Sequence, residues 1–222
     1  MAALIPALDC AATIAPVVRG VQRHVTDVVV VDDGSRDRTG RIARRAGAKV
    51  LRHAENRGKG AALLTGLQHL AGRGFSHVLT LDGDGQHLPE EIPALLAESR
   101  SHPAAIVIGA RKIESEVAWI NRFGNEFADL WIRIVAGRSV ADTQSGFRVY
   151  PVAEALALGA TGERFEFETE VIIRAIRAGL DVRSVFVRVH YPPPEERVSH
   201  YDRVWDTVRI IRMVVELMIR AR

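Results

Sequence analysis

Short runs of β-branched and small apolar residues alternate, over the first half of the chain, with stretches whose apolar positions recur every three to four residues. The runs predict strands near 2–5, 27–32, 48–52, 77–82 and 104–109. The intervening periodicity predicts helices near 11–24, 37–46, 59–73 and 89–100, the last opened by Leu88-Pro89, where proline suits a first helical turn. Strands alternating with helices in this way build βαβ units and a mostly parallel sheet flanked by helices. After Gly109 the pattern changes. A helix is expected near 121–136, following Trp119, with Phe123, Phe127 and Trp131 on one core-packing face. Asp142-Thr-Gln-Ser-Gly-Phe-Arg148 reads as a short strand or loop, 167–178 as a helix and 181–190 as a strand. Tyr191-Pro-Pro-Pro194 then stops regular structure, and a mobile loop is expected over 195–201.

The last segment, 203–222, has helical periodicity on two faces. Arg209, Arg212, Glu216 and Arg220 fall on one, and Val204, Val208, Ile211, Val215 and Met218 on the opposite one. Such a helix can dock on its own sheet, on a partner or in a membrane interface. Trp205, Ile210, Val214, Leu217 and Ile219 widen the apolar arc beyond one packing face, which favours an interface. Charge points the same way. The net charge of +3 is matched by the segment from Arg197 onward alone, where six arginines face three carboxylates. The composition of the whole 222-residue chain, 47% hydrophobic and 26% charged, is that of a globular chain able to form one large α/β domain. One cysteine, Cys10, excludes an internal disulfide framework and a cysteine-rich zinc site, and it suits a reduced, cytoplasmic compartment. Residues 1–6 lack the pattern of a signal peptide, and no run of 18 uncharged apolar residues occurs.

Candidate chemistry sits where strands are expected to end. Asp82 and Asp84 close the run His77-Val-Leu-Thr-Leu81, and Asp32 and Asp33 close Val28-Val-Val-Val31. Open α/β sheets bind ligands outside the carboxyl ends of their strands. Two carboxylates at i and i+2, spaced by glycine, suit a hard divalent cation that keeps positions open for phosphate oxygens. Asn56-Arg-Gly-Lys-Gly60 is a glycine-flanked loop before a helix, where Lys59 and Arg57 could cradle phosphate or simply stay solvated. Competing motifs fail. An EF-hand requires glutamate where Pro93 stands, no G-x-G-x-x-G follows the first strand, and no phosphate-loop motif exists.

The ordered combination is more specific than any part. Ile5-Pro6, Val30-Val-Asp-Asp-Gly-Ser35, Asn56-Arg-Gly-Lys-Gly60, Leu81-Asp-Gly-Asp-Gly-Gln-His87, Asp142-Thr-Gln-Ser-Gly-Phe-Arg148 and Phe165-Glu-Phe-Glu-Thr-Glu170 follow in series. This set strongly resembles the family-2 inverting glycosyltransferases of the GT-A fold, over about residues 4–211. Within them it looks like the dolichyl- or polyprenyl-phosphate mannosyl- and glucosyltransferase branch. The resemblance implies a metal-dependent hexosyl transfer from a GDP- or UDP-sugar, with Mg²⁺ or Mn²⁺ as cofactor. It implies that Asp33, Asp9 and Asp82 touch the nucleotide or sugar. Asp84 and Gln86, with Asp82, would ligate the metal, Arg148 would bind phosphate, and Asp142 would face the acceptor as base or as orienter. Glu166, Glu168 and Glu170 form a second acidic set, read equally well as helix-start residues. Where relatives read Tyr-Asn-Glu, this chain has Leu8, Asp9 and Cys10, leaving the base open between guanine and uracil.

The expected acceptor is a polyprenyl phosphate or other lipid, met at the inner face of the membrane by residues 203–222 acting as a peripheral contact beside a catalytic domain over 1–202. A soluble or cell-envelope acceptor, and a non-catalytic nucleotide-sugar-binding subunit, are the alternatives. Nucleic acid is not expected as a partner, since aromatic stacking residues are sparse in the basic tail, and a homo-oligomer is compatible with the sequence.

Overall fold

The computed structural model describes residues 1–111, 140–190 and 205–219. The aromatic helix expected near 121–136 and the loop expected over 195–201, with Arg197, Ser199, His200 and Tyr201, lie outside the described residues. In chain order the elements are β1 (Ala2–Ala7), α1 (Ile14–Gln22), β2 (Val28–Asp32), α2 (Thr39–Arg45), β3 (Lys49–Arg52) and α3 (Lys59–Ala71). There follow β4 (His77–Thr80), a 3₁₀ turn (Pro89–Glu91), α4 (Ile92–Ser101), β5 (Ile106–Arg111), β6 (Arg148–Pro151), α5 (Val152–Ala157), α6 (Glu166–Arg177), β7 (Val182–Val187) and α7 (Trp205–Ile219).

Seven strands form one sheet in the order β3-β2-β1-β4-β6-β5-β7. All neighbours are parallel except β6, which runs antiparallel to both β4 and β5. The central strands are apolar on both faces because both are covered, as parallel sheets require. Ala2 and Leu4 of β1 join Val29 and Val31 of β2 on the face packed by α3, α6 and α7. Ala3 and Ile5, with Val28 and Val30, belong to the opposite face under α1 and α4. The chain turns from β1 outward to β2 on one side and to β4 on the other, so the β1–β4 gap is the switch point of the sheet.

The expected elements recur with ends trimmed by one to three residues in most cases, and with two differences. The 142–148 segment becomes a strand only at Arg148, and α5 follows directly from β6. The terminal helix spans 205–219 and docks by part of its apolar arc. Ile210, Val214 and Leu217 are buried in the core against α6, and Arg177 Nη1 donates to the Leu217 carbonyl at 2.8 Å. Burying three such side chains stabilises the docked helix by about 1.5–3 kcal/mol each. Trp205, Val208 and Val215 remain exposed on the far side. Among the described residues no helix is long and apolar enough to cross a membrane.

Candidate active site

Three strand ends at the switch point, with the start of α3 and the turn into α6, enclose a cavity of about 270 Å³. Pro6, Ala7, Leu8 and Cys10 continue β1, Asp33 follows β2, and Asp82, Gly83 and Asp84 follow β4. Asn56, Gly58, Lys59 and Ala62 come from the start of α3, and Arg164 and Phe165 from the turn before α6. Buried Cys10 is chemically quiet here, since burial pushes its thiol up to about 12.

The acidic turn after β4 is electrostatically frustrated. Burial, followed by repulsion from Asp82, raises the Asp84 carboxyl to about 6. Its Oδ1 accepts the Gln86 amide at 2.9 Å, which holds the turn closed. Asp82 behaves oppositely. Burial would raise it, but the ammonium of Lys59, 2.6 Å from Oδ1, brings it below the ordinary carboxylate value. Lys59 also approaches Glu168 Oε2 at 3.2 Å, and these two carboxylates raise its pKa against the lowering effect of burial. One neighbour must be glycine for this pair to exist: a Cβ on Gly146 would stand 2.7 Å from Lys59 Nζ and 2.8 Å from Asp82 Oδ1. His87 braces the same turn. Burial lowers it to about 4, so its ring is neutral, and Nδ1 accepts the Asp82 N–H at 3.2 Å.

Asp33 organises the facing wall. Its Oδ1 accepts from Arg57 N at 3.0 Å and lies 2.6 Å from His53 Nδ1, and its Oδ2 accepts the Gly58 N–H at 2.7 Å. Gly58 takes φ 99°, open to glycine alone at low cost, and a Cβ there would stand 2.4 Å from the Glu163 carbonyl. The start of α3 is thereby packed against the turn that presents Arg164 and Phe165, and the Ala61 N–H donates to that same carbonyl at 2.9 Å.

Residues 2–151 match the family model described as glycosyl transferase family 2. The chain belongs to that family. It is 31% identical over 166 residues to an undecaprenyl-phosphate mannosyltransferase of Micrococcus luteus, covering 69% of this chain and 68% of that one. It is 27% identical over 212 residues to a UDP-N-acetylglucosamine–dolichyl-phosphate N-acetylglucosaminyltransferase of Methanococcus voltae, covering 85% of this chain and 84% of the relative. Its architecture is that of glucosyl-3-phosphoglycerate synthase from Mycobacterium tuberculosis, solved with Mn²⁺, UDP and phosphoglyceric acid. The two superpose with a TM-score of 0.75 at 20% identity, over 98% of this chain and 78% of that one. The fold of this family-2 glycosyltransferase is therefore GT-A.

Against that frame the expected site residues divide. Asp33, Lys59, Asp82 and Asp84 line one cavity, and Gln86 stands in the acidic turn beside them. Asp82 and Asp84 are the carboxylates available to a divalent cation. Among the described residues no group of three His, Cys, Asp or Glu is placed to hold a metal, so such a cation would depend on ligands beyond these two carboxylates. The raised Asp84 fits this, because a nearby cation would offset the burial and the Asp82 repulsion that raise it.

Three expectations fare differently. Arg148 is fully buried, and its guanidinium donates to the Ser145, Thr143 and Glu168 carbonyls and to Tyr150 Oη. It staples the 142–148 segment to β6 and α6 and presents no open edge to a phosphate. Asp9, held at φ 48°, turns its carboxylate away from the cavity onto the Arg36 and Asp37 amides at 2.8 and 3.3 Å. Asp142, at φ 53°, is clamped bidentately by Arg111, with Nε and Nη2 each 2.7 Å from a carboxylate oxygen. It lies outside the cavity lining. In this state Asp142 is a buried ion-pair partner whose oxygens already accept three bonds.

The acidic set on α6 splits by helical face. Glu166 Oε1 accepts the Glu163 and Arg164 amides, and Glu170 Oε2 accepts those of Thr161 and Gly162, so both shape the turn. Glu168 points the other way, to Lys59. Sequence reasoning missed His53, Arg111, Arg164 and Phe165. Arg111 ends β5 as Asp32 ends β2, so its place at a strand's carboxyl end was the available signal. His53 sits in no motif and is identified by its contacts alone.

Proposed function

We propose that this family-2 enzyme transfers a hexose from a nucleoside-diphosphate sugar, with a divalent cation, to a polyprenyl phosphate or similar lipid acceptor. The observation that carries the proposal is the pair Asp82 and Asp84 on the wall of the switch-point cavity, with Asp84 raised by burial and by repulsion from Asp82. A cation bound there would serve as a Lewis acid for the negative charge that grows on the departing diphosphate. The residues of the chain do the rest. The Pro6–Leu8 and Asp33–Gly58 walls hold the nucleoside, Lys59 supplies a buried positive charge beside Asp82, and His87, neutral, fixes the backbone of the turn. Asp142, clamped by Arg111 outside the cavity lining, is left as a structural ion pair, and an already ionised lipid phosphate needs no general base.

The acceptor reading is supported by the named activities of the relatives from M. luteus and M. voltae. It is also supported by α7, whose outward side carries exposed Trp205, Val208 and Val215, side chains suited to an interface. The test is transfer from radiolabelled UDP- and GDP-sugars with Mn²⁺ or Mg²⁺ into a butanol-extractable polyprenyl phosphate. Transfer abolished by chelation and restored by Mn²⁺ is the expected result. Label found only in water-soluble product would move the acceptor to a soluble alcohol or glycan, and no transfer to any acceptor would overturn the proposal.

A further inference from the structure

Glu168 has a job that neither its helix nor its neighbours explain. It is almost fully buried, and it faces away from the turn that Glu166 and Glu170 shape. Its carboxylate meets Lys59, whose ammonium already has a shorter, 2.6 Å contact with Asp82. A buried carboxylate is costly unless its charge is used. Here a second anion is spent on a cation that already has one.

The geometry around Lys59 gives the reason. Its ammonium occupies Asp82 Oδ1, an oxygen on the wall of the cavity where the proposed cation would sit. Two cations on one carboxylate repel strongly where water is scarce. The side chain is only 14% exposed, its ammonium lies 5.7 Å from the centre of the Phe165 ring, and the backbone of Gly146 closes another side. Retreat into solvent is therefore poor. Glu168 Oε2, at 3.2 Å, is the other anion within reach.

We infer that Glu168 is a positioning residue that gives the Lys59 ammonium a second seat, so that Lys59 withdraws from Asp82 toward Glu168 when Asp82 turns to a metal–diphosphate ligand. The inference rests on the proposed reading of the cavity. In the empty site Lys59 screens the carboxylate pair from its 2.6 Å contact with Asp82. In the loaded site it moves toward Glu168, stays charged and leaves the acidic turn to the cation. Glu168 thus tunes the affinity of a site that it does not touch.

A double-mutant cycle on Mn²⁺ binding tests this, using Glu168→Gln, Lys59→Met and the double variant. Electron paramagnetic resonance of free Mn²⁺ is the readout, with UDP and GDP as separate probes and circular dichroism as the check of folding. Because contacting residues couple, Glu168→Gln is expected to weaken Mn²⁺ binding about tenfold when Lys59 is present and less than about twofold when it is methionine. An equal loss in both backgrounds would make Glu168 a distant charge and overturn the inference, as would no loss in either. Failure of the wild-type chain to bind Mn²⁺ with either nucleotide would instead overturn the reading of the cavity and the inference together. If Glu168→Gln does not fold, Glu168→Asp carries the same cycle, with a smaller but still Lys59-dependent loss.

Discussion

The acidic turn after β4 and the segment leading into β6 carry similar residue types to opposite ends. In the first, two aspartates stand on a cavity wall, Asp82 paired with Lys59 and Asp84 without a cation of its own, raised to about 6 by burial and by repulsion from Asp82. In the second, Asp142 is clamped by Arg111 and Arg148 spends its donors on three carbonyls and a phenol. A charged residue whose partners are all supplied by its own fold is a strut. One whose charge is left over is where a ligand is expected. Motif membership alone does not separate the two, because both segments belong to the ordered set that points to the family.

The contrast breaks most visibly at the acidic turn. Asp84→Ala should lower transfer by on the order of 10²–10³-fold while the far-ultraviolet circular dichroism stays unchanged. A variant with near wild-type turnover would put the left-over charge outside the chemistry. Arg148→Ala should do the reverse. Stranding the carbonyls and leaving a hole in the core is expected to destabilise the chain by about 3–5 kcal/mol in urea unfolding. The surviving folded fraction should keep its KM for the donor, whereas a large rise in KM would restore Arg148 to phosphate binding.

Gly146→Ala joins the two regions. Its Cβ would press on both Lys59 Nζ and Asp82, so a loss of roughly tenfold in activity with a modest drop in melting temperature is expected. The smallest effect is a gain. Asp84→Asn removes the repulsion in the empty protein and should stabilise it by about 1–2 kcal/mol at pH 7.5, allowing for partial solvent screening. The folded carboxyl at about 6 lies above its ordinary 3.8, so the native chain is penalised in full above pH 6. The gain should therefore shrink as pH falls from 6 toward 3.8. A gain that is constant across this range would assign it to packing.

Much of the fold was legible because its strands are continuous apolar runs, as strands covered on both faces must be. The acidic turn was legible for a related reason: Asp82 and Asp84 interrupt such a run where a strand leaves the sheet. The partners of those residues were not. The motif around Arg148 does not show that the Thr143 and Ser145 carbonyls fold back onto its guanidinium, nor that the Glu168 carbonyl, 20 residues on, joins them. The partners of Asp9 were not legible either, because they lie 27 and 28 residues away. The periodicity of α7 showed a wide apolar arc but not which part of it would dock. Ile210, Val214 and Leu217 turn inward, and Val208 and Val215, expected on a single stripe with Ile211, turn out.

The central claim is that Asp82 and Asp84 bind a divalent cation together with a nucleoside diphosphate. Calorimetric titration of Mn²⁺ into the protein saturated with UDP or GDP tests it most directly. One site that disappears in Asp84→Ala and persists in Arg148→Lys is the predicted result. Equal Mn²⁺ binding by the wild-type and Asp84→Ala proteins would contradict it.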